Sequence, residues 1–278
     1  DRSPSRGLGD VYKRQITPFL KIKYKVIVTF HGVYRDVDPK FSNLHNKFFK
    51  FSEKLNVKYA HKVISVSDPD KKYLEHKYNK KVEYIPNGIN IEPCNKNFIN
   101  NRIFFAAGRI YQIKGLHLLL ESLHSLENNM SVLVAGDLNQ VPEYTKKIKG
   151  LSKGLNIEYL GLIKSKSKLL RLIAESQFFI FPSLTEAMSM MLLEVVSVKT
   201  PVIASDIPSN KAVFTDKEVL FFKSGDSKDL SEKIQFAIDN PDVMKRKSEL
   251  AFIKLEQEYN WKVISNNYKK RFIELIKK

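Results

Sequence analysis

A single cysteine, Cys94, stands in 278 residues, so no internal disulfide framework staples this chain and a reducing compartment suits it. No uninterrupted apolar run is long enough to span a bilayer, and no transmembrane helix is expected. No secretory leader is visible in the stretch given, and repeats and low-complexity tracts are lacking. Acidic side chains are also scarce: 30 Asp and Glu stand against 47 Lys and Arg, a formal net charge of +17. Residues 16–100 hold 16 basic and 8 acidic side chains, residues 101–200 hold 12 and 8, and residues 201–278 hold 15 and 12. The front of the chain is therefore the most basic part. That favours a polyanion or an anionic membrane face as partner, while a well-solvated lysine-rich surface accounts for the same count.

What is present has the composition of a soluble globular protein and room for two modest α/β domains. Asp1–Gln15 (DRSPSRGLGDVYKRQ) resembles an in-frame translated sequencing adaptor and is set aside from fold reasoning. The natural chain is then expected to begin upstream of Ile16. Gly7-Leu8-Gly9 has no strand before it and no helix after it, so it lacks the context of a phosphate-binding glycine loop. Tyr24–Phe30, Val63–Val66 and Val82–Ile85 read as strands, and 41–59 has helical spacing. Asp68 is expected to cap a helix with Pro69 at its first position. The polar stretch 95–101 reads as a linker. Beyond it, strands at 103–106, 132–135, 157–160, 178–181, 202–204 and 219–222 alternate with helices near 114–126, 140–152, 165–175 and 188–198. Strict alternation predicts a parallel sheet wound on both faces, with ligands beyond the carboxyl ends of its strands. Helical stretches near 227–239 and 241–276 close the chain.

Two stretches lie where ligands are expected. Gly108-Arg109-Ile110-Tyr111-Gln112-Ile113-Lys114-Gly115 follows the strand at 103–106 and precedes an apolar helix. Its glycines allow close backbone approach, a helix N-terminus offers N–H groups to an anion, and Arg109 and Lys114 add positive charge. A diphosphate fits, although taken alone the stretch reads more simply as an ordinary strand–helix turn. After the strand at 178–181 come Glu186 and Glu194, eight residues apart. In a continuous helix that is about 12 Å, beyond the roughly 5 to 9.5 Å of a glycosidase pair. It suits two hydroxyl-bearing groups held apart by a diphosphate, such as a sugar and a ribose. Helix capping by Glu186 and a solvated Glu194 is the plainer alternative. Against it, Glu194 lies among Met190–Leu193 and Val195-Val196, where a charge needs a partner.

In this order, with Ile85-Pro86-Asn87-Gly88-Ile89 and Thr200-Pro201-Val202-Ile203-Ala204-Ser205-Asp206, the motifs resemble the GT4 family of retaining GT-B glycosyltransferases. The resemblance runs from about Tyr24 to the C-terminus. It implies an α/β GT-B fold of two Rossmann-like domains with parallel sheets, the first incomplete. Residues 16–98 would be the C-terminal part of the acceptor-side domain, 99–260 the donor-binding domain, and 261–278 a helix crossing back. It implies that Gly108, Arg109, Lys114 and Gly115 meet the donor diphosphate. Glu186, with Ala187, Met188 and Ser189 beside it, would meet the donor sugar, and Glu194 the ribose. His31 follows the strand Tyr24–Phe30, where the family often has a histidine facing the cleft, so His31 and Glu186 are the catalytic candidates. Ala187 replaces a common glycine, Asn210-Lys211 replaces an often acidic position, and the family's N-terminal glycine loop is not in the chain.

The expected function is transfer of a sugar, with retention, from a UDP- or GDP-linked donor to a glycan or lipid-linked acceptor. The setting would be bacterial envelope polysaccharide, lipopolysaccharide or glycolipid synthesis. The expected location is cytoplasmic, or peripheral on the inner face of the plasma membrane against anionic lipid. No cofactor, metal or nucleic acid is expected, and turnover by this chain alone is not expected. Two other readings compete. A metal-dependent GT-A enzyme would use Asp36-Val37-Asp38 or Asp68-Pro69-Asp70. A non-catalytic basic module for a membrane surface or polyanion would use Lys47-Phe48-Phe49-Lys50-Phe51 and Lys54.

Overall fold

The computed structural model describes residues 17–33, 43–91, 99–126 and 130–277. The adaptor-like residues, Asp36, Asp38 and Cys94 lie outside them. The chain forms two compact units that part between Asn87 and Gly88 and again between Val263 and Ile264.

In the first unit, α1 (Thr17–Lys23), β1 (Ile27–Phe30), α2 (Asn43–Tyr59), β2 (Lys62–Ser65), α3 (Asp68–Tyr78) and β3 (Val82–Tyr84) follow in turn. The strands form a parallel sheet in the order β1-β2-β3. Alternate side chains go to opposite faces. Val28, Phe30, Val63 and Val82 pack with Val57 of α2 and Leu74 of α3. Ile27, Ile64 and Ile85 pack with Ile264 and Tyr268 of the last helix, α11 (Trp261–Ile276). That helix is tied to the sheet by Lys62 Nζ on Glu274 (2.8 Å) and by the Arg271–Glu83 ion pair. The helix starting at Asp68 is capped one residue earlier than expected. Ser67 Oγ accepts from Asp70 N–H (3.4 Å), while Asp68 is already helical and pairs with Lys72 (2.7 Å). Pro69 thus holds the second helical position. Helix α1 has no counterpart in the sequence reading.

The second unit runs β4 (Ile99–Arg109), α4 (Leu116–Leu123), β5 (Ser131–Asp137), α5 (Pro142–Leu151), β6 (Ile157–Gly161), α6 (Lys166–Ala174) and β7 (Ser176–Phe181). It continues with α7 (Met190–Ser197), β8 (Val202–Ser205), α8 (Pro208–Lys211), β9 (Leu220–Phe222), α9 (Ser227–Asp239) and α10 (Pro241–Lys254). The six strands are all parallel, in the order β6-β5-β4-β7-β8-β9. One face of the sheet (Phe104, Ala106, Leu133, Phe179, Phe181, Ala204) packs on α6, α7 and α10. The other (Ile103, Phe105, Val132, Val134, Phe178, Ile180) packs on α4, α5 and α9. Helices on both faces explain why these strands read as continuous apolar runs. The stretch expected to be helical from 241 to 276 is interrupted: a π-helical turn at Leu255–Tyr259 and an extended Asn260 separate α10 from α11. Ile89, completely buried, closes that break by accepting from Trp261 N–H (3.2 Å) and donating to the Tyr259 carbonyl (2.8 Å).

Candidate functional site

In this sheet order, the strands β4-β5-β6 extend one way and β7-β8-β9 the other, so the connectivity reverses between β4 and β7. Helices on opposite faces leave a crevice beyond the carboxyl ends of the two strands at such a point. The two chemistry-bearing stretches occupy that place. Gly108–Gly115 starts in the last two residues of β4 and runs on beyond it, and Pro182–Ser189 follows β7.

The two loops are fastened to each other. Leu184 N–H donates to the Ile113 carbonyl (2.8 Å). Gly115 lies at φ +72°, and a Cβ built there falls 2.0 Å from the Pro182 carbonyl oxygen, so only glycine fits. Lys114 Nζ donates to Glu186 Oε1 at 2.6 Å, with both side chains largely buried. From the other side, Ser205 Oγ donates to the Ser183 carbonyl (2.5 Å) and Asn210 Nδ2 to the Ser205 carbonyl (2.9 Å). Asn210, which replaces an often acidic position, is therefore a buried brace for the loop that carries Glu186.

The other site residues can be placed one by one. Arg109, the last residue of β4, is exposed and lies in register with Asp137 at the end of β5. Gly108 has open space around it. Glu186 lies four residues before α7, not in it, so the axial distance expected for a continuous helix does not apply. Ser189 is the N-cap of α7: its Oγ accepts from Leu192 N–H (3.3 Å). Ala187 and Met188 are partly buried in the turn before it. Helix geometry leaves the amides of Met190 and Met191 with no acceptor inside the helix. Glu194, partly buried on the second turn, has its partner in Lys166 (3.2 Å) at the start of α6. Lys114, Glu186, Glu194 and Arg109 all belong to the second unit. His31, which follows β1, is exposed and belongs to the first.

The structure corrects a second expectation at this site. The first amides of α4 are not free for an anion. The buried Tyr144 hydroxyl of α5 accepts from His117 N–H (3.2 Å) and also touches His117 Nδ1 (3.0 Å). The one oxygen thus serves both the backbone amide and the ring of His117. Burial, with the nearby Lys147 adding to it, holds the His117 pKa below its usual value, and burial pushes the Tyr144 hydroxyl up to about 12. Gly136, before the end of β5, was not singled out in the sequence. Its φ is +147°, and a Cβ there would lie 2.0 Å from the Ala107 carbonyl oxygen, so it sets the close approach of β5 to the glycine loop. Its only sequence signal is the Gly-Asp pair at a strand end.

Solved structures with this fold define the class. A glycosyltransferase from Rickettsia africae superposes with a TM-score of 0.75 at 20% identity, covering 100% of this chain and 84% of that one. HepE of Anabaena, in complex with UDP and glucose, superposes at 0.79 with 16% identity, covering 95% and 76%. The chain has the α/β fold of GT-B glycosyltransferases. Residues 92–254 match the family model of glycosyl transferases group 1, and residues 14–93 match that of glycosyltransferase family 4. The chain belongs to the group 1 glycosyl transferases. Among characterised relatives, the O-antigen chain mannosyltransferase RfbU of Salmonella typhimurium is 23% identical over 223 residues. That alignment takes in 79% of this chain but only 62% of RfbU.

Proposed function

We propose that the complete protein transfers a glycosyl group, with retained anomeric configuration, from a nucleoside diphosphate sugar to a glycan or lipid-linked acceptor. The setting would be the cytoplasmic side of a bacterial envelope. One observation carries this reading. The loops of β4 and β7 meet at the switch point of the sheet and bring Lys114 against Glu186, with Arg109 at the end of β4 and Glu194 on α7. Carboxylates bind vicinal hydroxyls, and the cations match the phosphates between them. In the structure Lys114 pairs with Glu186. Donor binding would divide that pair, the ammonium turning to the diphosphate and the carboxylate to sugar hydroxyls. As the nucleoside diphosphate leaves, charge grows on its phosphates, and Arg109, Lys114 and the α7 amides stabilise it. These cations do the work that a metal ion does in other transferases, so activity should survive a chelator. We assign His31 to orienting the acceptor. HepE binds UDP and glucose, and RfbU builds O-antigen chain; both support this donor and acceptor chemistry.

Calorimetric titration with UDP and GDP, alongside sugar-transfer assays of the full-length protein, tests the assignment. Glu194→Gln should mainly weaken nucleotide binding, and Glu186→Gln should mainly slow transfer. Wild-type nucleotide affinity in both variants would remove the ribose role from Glu194. The anomer formed, read by NMR of the first product, tests retention.

A further inference from the structure

Glu186 and Glu194 hold their cations on different terms. Glu186 Oε1 accepts a hydrogen bond from Lys114 at 2.6 Å. Glu194 Oε1 has Lys166 Nζ at 3.2 Å, an ion pair whose ammonium is half-exposed. Among the described residues Lys166 is the one partner of that carboxylate, and Glu194 Oε2 makes no hydrogen bond. Lys166 is placed by its helix. Ser165 Oγ accepts from Lys168 N–H (3.3 Å), so α6 starts at Lys166. Leu169, Leu170 and Ile173 follow three, four and seven residues on and pack in the same cluster as Leu193 and Val196 of α7. Lys166 thus opens the face of α6 that meets α7. The position works against the helix itself. The first turn of α6 holds Lys166 and Lys168 and no acid, so both ammoniums stand at the positive end of the helix dipole. A local rule broken next to a candidate site points to a use elsewhere.

We propose that Lys166 is a positioning residue for nucleotide binding: it stays on Glu194 Oε1 and fixes the carboxylate so that Oε2 takes the ribose hydroxyls. The proposal rests on the ribose reading of Glu194 given above. As a half-solvated pair, Lys166 and Glu194 add little to the stability of the fold. A nucleotide lying over Glu194 removes water from the carboxylate, and the attraction of the ammonium then counts for more. The contribution therefore shows in ribonucleotide affinity and not in folding. The contrast with Lys114 is chemical. Lys114 leaves its carboxylate to reach a phosphate, whereas Lys166 keeps its carboxylate and acts through it.

Calorimetric titration of the full-length protein with UDP or GDP, whichever it binds more tightly, and with the 2′,3′-dideoxy form of that nucleotide tests the proposal. Lys166→Met should lower affinity for the ribonucleotide about ten-fold and leave that for the dideoxynucleotide unchanged. Lys166→Arg should keep most of the affinity, and the Tm of both variants should stay within about 2 °C of wild type. Added to Glu194→Gln, Lys166→Met should cost nothing further. Lys168→Met, an equal loss of charge at the same helix start, should bind as wild type does. Tighter ribonucleotide binding by Lys166→Met would overturn the proposal and make the ion pair a competitor of the ribose. Equal losses for the two nucleotides, or for Lys166→Met and Lys168→Met, would overturn it by reducing Lys166 to general charge. So would wild-type affinity in Lys166→Met while Glu194→Gln still weakens the ribonucleotide. If neither nucleotide binds, or if Glu194→Gln binds as wild type does, the ribose reading falls and this proposal with it.

Discussion

Gly115 and Gly108 bracket the same loop, yet the backbone treats them differently. A Cβ at Gly115 meets the Pro182 carbonyl at 2.0 Å with φ already left-handed, whereas Gly108 has nothing within 4 Å. Gly115→Ala should cost about 3 kcal/mol or more in unfolding free energy and push the two crevice loops apart, abolishing nucleotide binding. Gly108→Ala should leave stability within about 0.5 kcal/mol of wild type. Denaturant melts of both variants check this, and similar costs at the two positions would mean that the β4 and β7 loops do not touch as described. Lys114 stands between them in function. With Lys114 at the diphosphate as proposed, its neutralisation would remove charge stabilisation that grows toward the transition state, so Lys114→Ala should lower kcat/KM of the full-length protein by about 100-fold or more. A near-wild-type value would remove Lys114 from the diphosphate site.

At the scale of the element, the start of α4 is held by a neighbour instead of a ligand. The Tyr144 hydroxyl serves both the His117 amide and the His117 ring, 3.2 Å and 3.0 Å away. Tyr144→Phe leaves a buried N–H and a buried ring nitrogen without their partner and should cost about 1–3 kcal/mol, with nucleotide affinity little changed. Because His117 is kept neutral by burial, its folded pKa lies below the ordinary value near 6.5. In the window between the two values the unfolded chain binds the proton more readily. Stability is therefore full above pH 6.5 and is lost as pH falls through that window. His117→Asn, which keeps a hydrogen-bonding side chain beside Tyr144, should flatten the fall in Tm between pH 7 and pH 5. An unchanged pH profile would assign the loss elsewhere; His61, whose pKa is also lowered, is the next titrating group to replace.

The two units differ in how much core each builds. The second has a six-stranded sheet with a large apolar cluster on each face. Among the described residues the first has three strands and two small clusters, one of which depends on Ile264 from the far end of the chain. Buried apolar area is the main favourable term in folding, so the first unit should open first. Brief proteolysis followed by mass spectrometry should show early cuts before residue 88 and a surviving fragment covering most of 99–263. Hydrogen exchange should be slowest in β4, β5 and β7. Faster exchange there than in β1–β3 would reverse this ranking.

Much of this was legible in the residues alone. The strand–helix alternation of the second unit was readable because parallel strands covered on both faces are continuous apolar runs, and each helix keeps its own period. The order of motifs pointed to the glycosyltransferase family, and loops after strands were the expected place for Arg109, Lys114, Glu186 and Glu194. Chain-local signals misplaced what depends on neighbours distant in sequence. Whether Ser67 or Asp68 caps α3 depends on which oxygen reaches the Asp70 amide. Glu186 stays outside α7 because its loop is fastened to the β4 loop and Ser189 caps the helix later. The α4 amides are taken by Tyr144, 27 residues on. Gly136 is required by a carbonyl on the adjacent strand, and the break at Asn260 is closed by Ile89. Periodicity and turn chemistry are properties of neighbouring residues, so the sequence by itself determines the elements. Which amide is satisfied, which carboxylate finds a cation, and where only glycine fits are decided by atoms that meet only in the tertiary structure.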